Sequence, residues 1–263
     1  MIYHIKPHWE RVDQFIFDGS KFYIADMHAT IGDRAIVASG IDARPDVAVA
    51  KAESELAERV AYLRPPIILG KTEWRFLGDK ITMFVCSDRK PRALLPLTNL
   101  NGSVYVYGKG LLRKSHAFAA HLSRELAAKN ARTEFIERHL NKLIRMHSIK
   151  RLKLEDPHGS SWIYHDKGLN YWHVLSHVTI NKISAWGSAA SDVSVDDARQ
   201  KAQLEACMMA LSKIDYGVRG NSINEYQGEI NGQSPWSIEV IEHEPIIVND
   251  STRFVFQALG VSR

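Results

Sequence analysis

Three stretches of the chain place apolar residues three and four positions apart, which is the spacing of one face of an α-helix. They predict a helix over residues 46–63, a second over 123–145 and a third that begins near Ser194. Asp46 and Ser123 are the expected N-caps of the first two helices, and Ser194 opens an S-x-x-D capping pattern. Each helix follows a strand-and-loop stretch. The pattern therefore indicates a strand–loop–helix unit used three times, roughly 70–80 residues apart.

The stretches between and after the helices are typical of β-strands. Residues 160–188 are rich in aromatic and β-branched side chains and predict paired strands, and residues 234–258 also read as strands. His173 and His177 lie four residues apart within the first of these stretches, so they are expected to share one face of a sheet. The whole pattern predicts an α/β or α+β fold.

Composition narrows the class of protein. The chain has 263 residues, 45% of them apolar and 24% charged, which is enough to bury a large core. The N-terminus carries charges where a secretory signal needs an apolar stretch, and no apolar run approaches the roughly 20 residues that span a bilayer. These features predict a cytoplasmic protein without a membrane segment. The net charge of +4 suits an acidic or phosphate-bearing partner without requiring one.

The candidate chemistry lies in charged side chains that repeat at helical spacing on the three predicted helices. They are Lys51, Glu55 and Glu58 on the first helix, Glu134 and Glu137 on the second, and Lys201 and Glu205 on the third. Carboxylates from separate helices are costly to bring together unless cations neutralise them. Mg²⁺ fits that need, because it takes one or two carboxylates and completes its shell with water and phosphate oxygens. Ordinary solvated helix faces have the same spacing, and the pattern alone leaves both interpretations open.

The chain resembles the YcaO family in three segments that occur in the family's order. They are residues 52–59 (AESELAER) after Gly40, residues 115–121 (SHAFAAH) leading into 131–139 (ARTEFIERH), and residues 187–190 (GSAA) followed by 201–205 (KAQLE). The resemblance spans residues 35–210. His116, Ala117 and His121 stand where the family often has Asn, Gly and Gly. Lys201 replaces a usual arginine, which keeps the charge but loses the bidentate fork.

The resemblance implies a single YcaO-like domain over residues 1–263, with repeated strand–loop–helix units, mixed sheets and ATP bound between helices. Residues 213–263 form its strand-rich C-terminal segment. Five glutamates are expected to ligate Mg²⁺ or to contact ATP through it: Glu55, Glu58, Glu134, Glu137 and Glu205. Of these, Glu134, Glu137 and Glu205 are the expected catalytic set. The expected nucleotide contacts also include Lys51, Ser115, His116, Arg138 and Lys201. Arg59 and Arg138 either bind phosphate or brace the neighbouring glutamates.

The resemblance further implies ATP- and Mg²⁺-dependent activation of backbone amides in a ribosomally synthesised precursor peptide, which yields an azoline, thioamide or amidine. The chain is short and lacks the proline-rich C-terminus of azoline-forming relatives. An accessory protein, such as one that binds the leader peptide, is therefore an expected partner, with a homo-oligomer as a further option. Two alternatives stay open: a YcaO-like scaffold subunit without catalysis, and a basic nucleic-acid-binding protein.

Overall fold

The structure is a computed structural model that describes residues 3–31, 34–63, 68–76, 79–86, 91–92, 117–145, 151–156, 159–216 and 236–262. The helices in these residues are α1 (Pro45–Leu63), α2 (Arg124–Arg145) and α3 (Val195–Tyr216). The strands are β1 (Tyr3–Ile5), β2 (Trp9–Phe17), β3 (Ser20–Ile31), β4 (Arg34–Asp42), β5 (Ile68–Phe76), β6 (Asp79–Cys86), β7 (Pro91–Arg92), β8 (Phe118–His121), β9 (Leu152–Asp156), β10 (Gly159–Asp166), β11 (Tyr171–Ile180), β12 (Ile183–Ser191), β13 (Trp236–Glu242), β14 (Ile246–Val248) and β15 (Ser251–Ser262). Within the described ranges, no helix has the length and apolar character needed to cross a bilayer.

The three helices lie where the sequence predicts them, and two of the predicted caps are confirmed. The Ser194 hydroxyl accepts a hydrogen bond from the backbone N–H of Asp197 at 3.0 Å, and Ser123 caps α2 in the same manner. The predicted N-cap at Asp46 is wrong, because the Arg44 carbonyl accepts the first helical hydrogen bond. Proline follows at the first helical position, where its missing N–H costs nothing, and Asp46 falls inside the first turn.

The predicted strands also form, and they build three sheets. β2, β3 and β4 make one antiparallel sheet, and β12, β11, β10 and β9 make a second in that order. α1 packs on β3 and β4, while α3 packs on β11 and β12. In the third sheet β15 is the central strand, since it pairs with β5, β8, β13 and β14.

The predicted repeat is present around α1 and α3 as an antiparallel hairpin followed by a helix. The surroundings of α2 differ, because it packs on β15 and on the short strand β8, which itself pairs with β15. The sheet beneath α2 is therefore supplied in large part by the C-terminal strand. Strand pairing over such a distance leaves no periodic signal along the chain, so the sequence pattern could not reveal it.

Small residues let α1 and α3 approach their sheets closely. The fully buried helix positions that face the sheets include Ala48 and Ala52 on α1, and Ala198, Ala202 and Ala206 on α3. A Cβ added to Gly40 on β4 would lie 2.2 Å from the carbonyl oxygen of Ala48. A Cβ added to Gly187 on β12 would lie 2.3 Å from the carbonyl oxygen of Ala202. The two glycines thus fix the distance between each helix and its sheet.

A buried ion pair ties α1 to the central strand β15. Arg253 is 1% exposed and donates a hydrogen bond to the carboxylate of Glu53, which is 7% exposed. Asn249 donates to the other oxygen of Glu53 at 3.3 Å. Burial raises the pKa of Glu53 and lowers the pKa of Arg253, and each charge keeps its partner ionised.

Removing one partner of this pair should destabilise the protein strongly. We expect Arg253→Met to lower the free energy of unfolding by about 3–5 kcal/mol, because it leaves a buried carboxylate without a counter-charge. The double variant Glu53→Leu/Arg253→Met should recover most of that loss. Urea unfolding measures both, and a double variant as unstable as the single one would contradict the argument.

Adding one methyl group to Gly187 should push α3 away from β12. We expect Gly187→Ala to lower the free energy of unfolding by about 1–3 kcal/mol, since the obstacle is helix backbone that cannot rotate aside. Gly168→Ala is the control, because its new methyl group would meet only the Asp166 carboxylate at 3.3 Å. Equal losses in urea unfolding for the two variants would show that close packing at Gly187 is unimportant.

Candidate functional site

Glutamates from all three helices come within electrostatic reach of one another. The Glu134 carboxylate on α2 raises the pKa of Glu58 on α1 and of Glu205 on α3, and it also acts on Glu137. Glu55 on α1 acts on Glu58 and Glu205 in the same sense. The five glutamates that the sequence analysis singled out therefore lie in one place, although they come from helices far apart in the chain.

Desolvation and mutual repulsion perturb these carboxyl groups. Burial is the largest cause for Glu58 and raises its pKa well above the ordinary range, with Glu55 adding to the effect. Burial also raises the pKa of Glu137 well above its usual value, and repulsion from Glu134 and Glu205 acts in the same direction. Burial and Glu134 raise the pKa of Glu205 to about 7. Protonation or the binding of a metal cation relieves the repulsion in such a cluster.

Backbone N–H groups at the edges of two sheets hold two of the glutamates. Glu58 accepts a hydrogen bond from the N–H of Ala120 on β8 at 2.8 Å. Glu205 accepts one from the N–H of Ser188 on β12, also at 2.8 Å. β12 ends its sheet, and β8 pairs only with β15 among the described strands. Each edge strand therefore offers an N–H that strand pairing does not use.

Two arginines brace the remaining glutamates of α1 and α2. Arg59 donates to Glu55 through Nε at 2.8 Å, one helical turn away. Arg138 donates to Glu134 through Nε at 2.6 Å with the same spacing. These arginines were expected either to bind phosphate or to brace the neighbouring glutamates, and the structure contains the contacts with the glutamates. Each pair also places a positive charge beside the acidic cluster.

The two lysines expected to contact nucleotide have carboxylate partners of their own outside the glutamate cluster. Lys51 Nζ donates to the Ile41 carbonyl at 2.9 Å and to Asp42 at 2.7 Å. Lys201 Nζ donates to Asp197 at 2.7 Å. Both side chains are about half exposed, so their contact with phosphate stays a prediction.

The loop that leads into β8 is only partly described. Ser115 and His116, both expected near the nucleotide, lie outside the described residues. Ala117 is described and has a φ of 51°, in the left-handed region that favours glycine. Position 117 is therefore an alanine in a backbone conformation that favours glycine.

Three residues at this site were missed by the sequence analysis as functional candidates. Ser188 donates its hydroxyl hydrogen to Glu137, and Asn141 donates to the Ser188 hydroxyl at 2.8 Å. His173 lies 3.1 Å from Asn141 through Nε2. The sequence contained a clue to Asn141 and Ser188. Asn141 follows Glu137 by one helical turn, and Ser188 lies in the segment 187–190 that resembles the YcaO family. His173 and His177 share one sheet face, as predicted, and nothing in that pattern pointed to Asn141.

The donor set fits a hard cation shared with a ligand. Among the residues that the structure describes, no group of three or more His, Cys, Asp or Glu side chains surrounds a single point. A cation held entirely by protein is therefore not indicated in this part of the chain. Mg²⁺ commonly binds through one or two carboxylates and takes its remaining oxygens from phosphate and water. The crowded glutamates supply carboxylate oxygens of the kind that Mg²⁺ takes from a protein.

Comparison with solved structures finds the same fold. A YcaO protein from Methanopyrus kandleri, solved with AMPPCP and Mg²⁺ bound, matches with a TM-score of 0.62 and 13% sequence identity. The match covers 96% of this chain and 84% of that chain. No family model and no curated protein matches the sequence. The chain therefore has a YcaO-like fold, as the sequence resemblance implied.

Glu205 gives the site a dependence on pH that can be measured without a ligand. The pKa of the Glu205 carboxyl rises from 4.5 in the unfolded chain to about 7 in the folded protein. Its contribution to the free energy of unfolding is therefore fully present below pH 4.5. That contribution is lost as the pH rises through about 7, because the folded protein must then hold the charged form. Relative to wild type, Glu205→Gln should therefore gain roughly 2 kcal/mol of unfolding free energy between pH 4.5 and 8.

Urea unfolding of both proteins across this pH range tests the expectation. The difference between the two proteins cancels the contribution of buried histidines such as His173, whose lowered pKa acts in the opposite direction. Glu125→Gln, which removes an exposed carboxyl from the start of α2, is the matched control. A difference between Glu205→Gln and wild type that does not change with pH would contradict the argument.

Proposed function

We propose that this protein binds Mg²⁺–ATP at the glutamate cluster and uses ATP to activate backbone amides of a ribosomally made peptide. The observation that carries the proposal is the convergence of Glu55, Glu58, Glu134, Glu137 and Glu205 from three helices within a YcaO-like fold. The M. kandleri protein of that fold was solved with AMPPCP and Mg²⁺. That likeness supports the nucleotide part of the proposal, and the peptide part rests on the sequence resemblance.

The carboxylates and their neighbours have separate roles in this proposal. Glu58, Glu137 and Glu205, each fixed by a hydrogen bond from a neighbouring strand, form with Glu55 and Glu134 the set from which Mg²⁺ would take one or two carboxylates. When bound, Mg²⁺ neutralises charge on the triphosphate. Arg59 and Arg138 keep the carboxylates of Glu55 and Glu134 oriented and contribute positive charge beside the phosphates. Lys51 and Lys201 would exchange their partners Asp42 and Asp197 for phosphate oxygens.

The proposed reaction needs no nucleophile from the protein. A thiol, hydroxyl, amine or sulfide adds to a carbonyl carbon of the substrate peptide and produces a tetrahedral oxyanion. That oxygen attacks the γ-phosphorus of ATP, the bond to the ADP oxygen breaks, and ADP leaves. A lone pair on the amide nitrogen or on the added heteroatom then forms a double bond to the carbon and breaks the C–O bond. Inorganic phosphate departs with the former amide oxygen, and the spare proton passes to solvent. The task of the protein is to position the two substrates and neutralise charge.

Calorimetric titration with ATP in the presence of Mg²⁺ tests the nucleotide part. Wild type should bind, and Glu134→Gln/Glu137→Gln should bind at least about 100-fold more weakly, because two of the proposed ligands lose their charge. Omitting Mg²⁺ should have a similar effect. Glu125→Gln on the same helix is the matched control and should bind as wild type does.

The other outcomes separate the alternatives. No binding by wild type at millimolar ATP, with candidate partner proteins added, would favour the scaffold subunit without catalysis. Affinity for nucleic acid that falls steeply with salt, without Mg²⁺–ATP binding, would favour the nucleic-acid-binding protein. Binding that persists in Glu134→Gln/Glu137→Gln would place the nucleotide away from the glutamate cluster.

A further inference from the structure

Ser188 contacts two of the proposed ligands at once. Its backbone N–H donates to Glu205 on α3 at 2.8 Å, and its hydroxyl donates to Glu137 on α2. One residue on the edge strand β12 therefore holds carboxylates from two helices. Replacing its side chain would release Glu137 while leaving the backbone contact with Glu205 in place.

A chain of hydrogen bonds runs from Ser188 into the core. Asn141 Nδ2 donates to the Ser188 hydroxyl at 2.8 Å, and Asn141 Oδ1 lies 3.1 Å from Nε2 of His173. His173 is fully buried on β11, on the same sheet face as Ser188. The chain thus joins Glu137 to an interior histidine through α2, β11 and β12.

The direction of these hydrogen bonds follows from the first one. Because the Ser188 hydroxyl donates to Glu137, it must accept from the amide nitrogen of Asn141. The amide oxygen of Asn141 then faces His173, so Nε2 of the ring carries the proton. Burial and the charge of Arg151 lower the pKa of His173 to about 3, which keeps the ring neutral. Every donor in the chain therefore points toward Glu137.

The fold alone gives little reason for a histidine at position 173. In the described part of the chain, the buried Nδ1 atom of His173 has no hydrogen-bond partner. An unpaired polar atom in the core is unfavourable compared with an apolar side chain of similar size. Among the described residues, the hydrogen bond of the ring is the one between Nε2 and Asn141.

We propose that Ser188, Asn141 and His173 are positioning residues, which fix the orientation of Glu137 so that it can bind Mg²⁺ and nucleotide. The proposal rests on the proposed function of the glutamate cluster. Outer hydrogen-bond partners of metal ligands act in this manner, and their loss typically weakens metal affinity without removing a ligand. The three residues contact Glu137 directly or through one another and need not touch the substrate.

Titration calorimetry with Mg²⁺–ATP tests the role of the hydroxyl. Ser188→Ala should weaken binding by about 10–100-fold, since Glu137 loses the donor that orients it. Ser188→Thr keeps a hydroxyl on the same carbon and should restore most of the affinity, which a purely structural role would not predict. Ser176→Ala is the control, because it removes a buried serine hydroxyl from the opposite face of the same sheet, where it pairs with Ser161. Unchanged affinity in Ser188→Ala would overturn the proposal.

Nitrogen-15 NMR of His173 tests the chain independently of any nucleotide. The wild-type ring should be neutral near pH 7 with its proton on Nε2, and Asn141→Leu should shift the Nε2 signal. A proton on Nδ1, or no shift in Asn141→Leu, would overturn the proposed chain even if Mg²⁺–ATP binds. Failure of wild type to bind Mg²⁺–ATP would instead overturn the proposed function, and with it the role assigned to these residues.

Discussion

The crowding of carboxylates from three helices is the constraint on which the rest of this structure depends. Half-buried glutamates repel one another and lose solvation, as the raised pKa values of Glu58, Glu137 and Glu205 indicate. A protein that brings such groups together must supply compensating contacts. Here edge-strand N–H groups, the Ser188 hydroxyl and two arginines supply them. A bound cation would relieve the remaining repulsion.

The packing of the helices is what places these groups together. Gly40 and Gly187 allow α1 and α3 to lie against their sheets at a distance that a Cβ would obstruct. The pair Glu53–Arg253 fastens the buried face of α1 to β15, the strand on which α2 also packs. The acidic cluster therefore depends on contacts between residues far apart in sequence, such as Glu53 and Arg253.

Much of the fold was predictable from local patterns. The periodicity of apolar residues located α1, α2 and α3, and the caps at Ser123 and Ser194 are confirmed because a cap is a contact between near neighbours. The Asp46 cap was wrong, since Pro45 can begin the helix one residue earlier. The pairing of β8 with β15 was not predictable, because it joins residues 118–121 to 254–257.

The sequence by itself determined which helical faces are acidic, because residues three and four apart on a helix share a face whatever surrounds them. It also indicated a YcaO-like fold through three ordered segments. The tertiary structure decided that the glutamates on these faces come within electrostatic reach of one another. It also decided which backbone N–H groups hold Glu58 and Glu205, and that Ser188 links Glu137 through Asn141 to His173. Those contacts depend on how helices pack and strands pair across long separations, and no local pattern encodes them.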